Sequence, residues 1–213
     1  VTVVALIRRD LGRAFSGGGG LLPLAFFLLV ATLFPFAVGP DGALLARTGG
    51  GALWMAALLA ALLPIDRLVA PDAESGVLDQ LAVRGLSEET VCAAKIIAHW
   101  LSFGPPLMIA AFPAAALLRL DGATLARLEA GLAIGTPGLA ALALGTSALT
   151  AGLRGAGALS GLLMLPLAVP LLIFGAGGLA GDGGALKLLA STSLLLVAGA
   201  PFAGGAALRA LRD

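Results

Sequence analysis

Two intervals of this chain, 21-LLPLAFFLLVATLFPFAVGP-40 and 188-LLASTSLLLVAGAPFAGGAAL-208, run without an aspartate, glutamate, lysine or arginine. A helix needs roughly 20 such residues to cross a hydrocarbon core ~30 Å thick. Four further apolar stretches lie between them. Charged residues make up 12% of the chain and hydrophobic ones 59%, whereas a soluble domain carries about 25% charge. The chain is therefore read as an all-α polytopic membrane protein, with one transmembrane domain over residues 1–213 and nothing left over for a folded soluble one.

Six spans are expected: Leu21 to Val38, Gly50 to Ile65, Ile96 to Leu118, Glu129 or Ala130 to Ala151, Ala156 to Ala180, and Leu188 to Leu208. No charged residue is expected inside them. No cleavable signal peptide is expected either, because the first stretch is too long for an h-region and leads to Pro40-Asp41 without a small-x-small site. Six spans put both termini on one side, and basic residues choose it. Arg8, Arg9, Arg13, Arg67, Arg84, Lys95, Arg154, Arg209 and Arg212 fall on one side, against Arg47, Arg119, Arg127 and Lys187 on the other. Nine against four predicts cytoplasmic termini in an inner membrane.

The arm at residues 1–20 interleaves Val4, Leu6, Ile7, Leu11 and Phe15 with Arg8, Arg9 and Arg13. That pattern predicts a helix lying at the membrane surface, with the arginines as membrane-interface residues drawn to anionic headgroups. The run Gly17 to Gly20 then frees the chain to turn into the first span. Residues 66–95 form a longer polar connection than topology requires. Within it, Ala73 to Val83 predicts one short amphipathic helix, its ends marked by Pro71 and Gly85, able to dock on a partner.

The chemistry available is limited. Ion-coupled transport usually places an Asp, Glu or Lys inside the bundle, and none is expected here. There is no G-x-x-x-x-G-K-[ST] loop for binding ATP, so energy for uphill movement must enter through a partner, by way of the 66–95 segment. Cys92 and His99 are the only residues of their types; no intrachain disulfide is possible, and the two cannot close a zinc site. The net charge of +1 gives no reason to expect nucleic-acid binding. His99, beside Trp100, has two readings, an axial haem ligand or a membrane-interface anchor; we take the anchor. The G-x-x-x-G of residues 131–135 permits close helix approach. Prolines 35, 105, 106, 113, 166, 170 and 201 predict kinks.

The stretches 32-TLFPFAVGP-40, 74-ESGVLDQL-81, 94-AKIIAHW-100 and 169-VPLLIFGAG-177, with the arm 8-RRDLGRAF-15, resemble the haem exporter protein B family (CcmB) over nearly the full length. The chain departs from the family's proline-rich leucine run at 82-AVRGLSEETV-91. The resemblance implies a non-catalytic transmembrane subunit like those of type-2 ABC exporters, with the 66–95 segment as its coupling segment. A separate cytoplasmic ATPase, CcmA, would bind ATP and Mg. CcmC, CcmD and the haem chaperone CcmE would be further partners, with haem carried by the chaperone and no cofactor bound by this chain. On that reading Glu74, Leu78, Asp79, Gln80 and Leu81 contact the ATPase, and ATP hydrolysis drives release of haem-loaded chaperone or haem handling in cytochrome c maturation. The alternatives are a non-transporting scaffold for the haem-chaperone complex and, third, an autonomous transporter.

Overall fold

The computed structural model describes residues 2–16, 20–153 and 155–212, and all regular structure among them is helical. The glycine turn expected at Gly17 to Gly20 lies, for its first three residues, outside the described residues, as does Arg154 of the charge count.

The elements are α1 (Val3–Ser16), α2 (Leu22–Val38), α3 (Gly42–Leu62), a 3-10 turn (Ile65–Arg67), α4 (Ala70–Glu74), α5 (Val77–Val83), α6 (Glu88–Leu117), α7 (Gly122–Thr150), α8 (Ala156–Gly178) and α9 (Gly183–Arg212). Five helices, α3 and α6 to α9, are long and apolar enough to cross a membrane; α2 is apolar but shorter. Its 17 residues rise about 25 Å at 1.5 Å each.

Three helices begin seven or eight residues before the expected spans. Hydropathy detects only the apolar part of a helix, whereas its start is set by a cap. Asp41 Oδ1 accepts from the Ala43 and Leu44 amides at 2.9 and 3.3 Å, Ser87 Oγ from Thr90 N at 3.3 Å, and Asp121 Oδ1 from Thr124 N at 2.6 Å. Each takes up amides that a helix N-terminus leaves unpaired. As a result Arg47, Lys95, Arg127 and Glu129 all stand within helices rather than in loops. The helices are thus longer than the apolar spans, and Arg47, Lys95 and Arg127 stand in the turns that precede them. Glu129 keeps one carboxylate oxygen buried without a hydrogen-bond partner. The helices continue through Pro35, Pro105, Pro106, Pro113, Pro166, Pro170 and Pro201, and through Pro137 as well.

The centre of the bundle is α7, packed by α6, α8 and α9 and touched by α3. Its core is organised by one large side chain. Trp54 of α3 is fully buried and sits in a socket of three glycines. A Cβ at Gly175 would lie 2.4 Å from the indole, one at Gly135 2.5 Å and one at Gly131 3.1 Å. The G-x-x-x-G of α7 therefore receives an indole from α3, and Gly175 of α8 closes the other side. Gly138 of α7 meets Ser193 of α9, where a Cβ would stand 2.9 Å from the serine Oγ. Small residues are what allow membrane helices to pack this closely. The indole Nε1 has no hydrogen-bond partner.

Candidate functional site

A second, smaller core joins α1, α5 and α6. It is built from Leu6, Leu81, Val91 and Ala94, with Ile7, Val77, Leu78 and Leu86 packed against it. The amphipathic stretch that sequence predicts as one helix is divided by Gly76, whose φ of +69° belongs to the left-handed region that glycine adopts without penalty. The α5 helix after this break turns Leu81 inward, leaving it 6% exposed. This corrects the expectation that Leu78 and Leu81 enter a partner's groove: Leu81 is buried against its own chain, and Leu78 is partly buried in the same cluster. Glu74, Asp79, Gln80, Val83 and Arg84 are all exposed. Val83 is 89% exposed, an apolar side chain unusually bare for its position.

What fixes this platform is a buried ion cluster that sequence reading does not find. Asp72 of α4 is 2% exposed and Lys95 of α6 is 5% exposed. The Lys95 ammonium donates to Asp72 Oδ2 at 2.5 Å, to the Leu68 carbonyl at 3.0 Å and to Asp10 Oδ2 at 3.2 Å, which uses all three of its hydrogens. Asp72 also accepts from Arg9 Nη2 at 2.5 Å and, through Oδ1, from Arg13 Nη1 at 2.6 Å. Arg9 donates from Nε to Asp10 at 2.7 Å. Removing charges from water is costly, and only such complete pairing offsets it. The cluster ties the arm, the start of the connecting segment and α6 together at one end of the bundle.

The arm's arginines therefore divide. Positions 9 and 13, four apart, share a helix face and turn toward Asp72. Arg8 stays exposed, on a face with Val4 and Phe15, themselves 65% and 45% exposed. The expectation that all three point to headgroups is corrected for Arg9, and in part for Arg13, whose side chain remains half exposed. Two signals of the cluster were present in the sequence, the i, i+4 spacing of Arg9 and Arg13 and a lysine one turn before His99. Neither names Asp72 as the partner. Nearby, Arg209 of α9 pairs with Glu88 at 3.4 Å and with Glu89, closing the end of α9 onto the start of α6.

His99 is not a surface anchor: it is 3% exposed, its ring 4.8 Å from that of Phe103, and its Nε2 has no hydrogen-bond partner. Trp100 is partly exposed, and its Nε1 donates across to Thr136 Oγ1 of α7 at 3.0 Å. Among the described residues no group of three or more His, Cys, Asp and Glu is placed to hold a metal ion, and Cys92 is a buried free thiol.

Residues 1–211 match the family described as CcmB protein. The chain is 48% identical to Heme exporter protein B of Rhodobacter capsulatus, covering 96% of this chain and 97% of that one. It is 49% identical to the Paracoccus denitrificans protein of the same name, with the same coverage. For the Escherichia coli protein the identity is 42%, over 96% of both chains.

Proposed function

The chain belongs to the CcmB family, and we propose that within the haem-handling machinery it couples ATP hydrolysis by a cytoplasmic partner to work done in the membrane. It is a multi-pass, non-catalytic inner-membrane component of cytochrome c maturation and haem export. The ATPase is expected to be CcmA, with CcmC, CcmD and the chaperone CcmE as the remaining partners. ATP and Mg would be held by the ATPase and haem by the chaperone. On this reading the output is release of haem-loaded chaperone, and this chain supplies the mechanical link.

The observation that carries the proposal is the mounting of α4 and α5. One side is locked to α1 and α6 by the Asp72–Lys95 cluster and the Leu81 core, while the other presents Glu74, Asp79, Gln80 and Val83 to solvent. A force transmitter needs this combination of a rigid attachment and a bare contact face. The coupling contacts are thus assigned to Glu74, Asp79, Gln80 and Val83, with Leu78 and Leu81 holding the helix from behind. The exposure of Arg8, Val4 and Phe15 supports a membrane-surface position for the outer face of α1.

The test is co-purification of the ATPase with single variants. Val83→Asp puts a charge into the contact and should release the ATPase while the chain itself stays folded, because position 83 is bare. Glu74→Ala should be milder, ~1 kcal/mol or less for a solvated contact. Full ATPase recovery with Val83→Asp and with a combined Glu74→Ala, Asp79→Ala, Gln80→Ala variant would remove α5 as the contact. If an ATPase-dead partner still assembles but maturation stops, the scaffold alternative is excluded.

The charge asymmetry places the termini and the α4–α5 segment in the cytoplasm. In a Cys92→Ser background, Ser75→Cys should be labelled by a membrane-impermeant thiol reagent only in inverted vesicles, and Ala123→Cys only in intact spheroplasts. Both positions are exposed, and neither is one of the N-cap residues Ser87 and Asp121. The reverse pattern would invert the orientation.

A further inference from the structure

Beside the ion cluster lies a cavity of about 250 Å³, walled by the end of α1, the start of α2, the turns between Pro64 and Pro71, and α6. Its polar lining is Asp10, Arg13, Arg67, Lys95, His99 and Ser102. Pro23, Leu68 and Ala98 contribute apolar wall. The coupling role uses neither this space nor His99.

The charges around the cavity do not cancel. Counting Arg9 and Asp72, which complete the cluster behind it, four cations stand against the carboxylates of Asp10 and Asp72. Both oxygens of Asp72 are already engaged, and so are all three hydrogens of Lys95. Arg67, on the 3-10 turn, is exposed and forms no ion pair among the described residues. Arg13 is half exposed and spends one nitrogen on Asp72. An anion is the missing element, and phosphate suits guanidinium groups because two N–H donors of one fork match two of its oxygens.

A second requirement is apolar. Next to Gly20 and Pro23 of the cavity wall stand Leu21 and Leu22, 59% and 48% exposed at the start of an apolar helix. An occupant with a phosphate anion and an apolar continuation is an anionic glycerophospholipid.

We propose that this cavity binds the headgroup of one phosphatidylglycerol-type lipid, its phosphate held by Arg67 and Arg13. The acyl chains leave past Leu21 and Leu22. A zwitterionic ethanolamine headgroup brings its own cation to a site already in cationic excess and is disfavoured. The lipid fills the gap between the arm and the bundle, and it does so whether or not α5 is the ATPase contact.

The test uses the full chain, purified in mild detergent after exposure to vesicles of equimolar phosphatidylglycerol and phosphatidylethanolamine, with retained lipid counted by native mass spectrometry. One phosphatidylglycerol per chain should remain. Arg67→Gln removes a charge-assisted contact and should lower retention about tenfold or more. Arg84→Gln, an exposed arginine outside the cavity lining, should leave retention unchanged. Millimolar glycerol phosphate separates the two sources of this chemistry: failure to displace the lipid supports the proposal, and displacement assigns a soluble phosphate ester and overturns it. Equal retention by wild type and Arg67→Gln, or equal retention of the two vesicle lipids, would also overturn it.

Discussion

Asp72→Ala should cost the folded chain about 3–5 kcal/mol, the usual result of stripping one partner from a buried ion pair. The Lys95 ammonium, 5% exposed, would keep the Leu68 carbonyl and the longer contact to Asp10 but lose its closest counter-charge. Arg9 and Arg13 suffer less, since both side chains reach solvent. The arm should detach as well, because Asp72 receives donors from both of its inward arginines. Two measurements check this: unfolding in mixed micelles, and limited proteolysis after Arg9 or Arg13, which should accelerate in the variant. A double variant, Asp72→Leu with Lys95→Met, removes both charges and fills similar space, so it should recover most of the lost stability. A loss below about 1 kcal/mol in Asp72→Ala, no more than an exposed pair contributes, would show that the cluster does not hold α4 in place.

The second large effect is expected at the Trp54 socket. Trp54→Ala empties the middle of the bundle and should cost about 3–5 kcal/mol. Gly175→Ala adds only a methyl group, yet that carbon would sit 2.4 Å from the indole, and overpacking of this kind costs typically 1–3 kcal/mol. The ring cannot retreat, because Gly135 and Gly131 of α7 meet its far edge. Trp54→Phe removes ring volume and also the buried N–H that lacks a partner, two effects of opposite sign, so its cost should be well below that of alanine. Combined with Trp54→Phe, Gly175→Ala should be nearly harmless. The cycle is read from unfolding midpoints of the four proteins in one detergent. Additive costs would mean that the glycine is not there for the indole.

The sequence alone determined the class, the order of the apolar helices and the family. These rest on local properties: the length of the apolar runs and stretches such as 94-AKIIAHW-100 that keep their order along the chain. The tertiary structure decided which way each side chain faces. It turned Arg9 and Arg13 toward Asp72, sent Leu81 into its own chain, buried His99 beside an empty space and seated Trp54 among Gly131, Gly135 and Gly175. The reason is physical. In water an apolar face must be hidden, so periodicity reports what is inside; in lipid an apolar face is equally at ease against acyl chains or another helix. For such a chain, facing is set by the fit of particular partners, a Trp into glycines or a Lys onto an Asp 23 residues earlier, and those partners meet only once the bundle has formed.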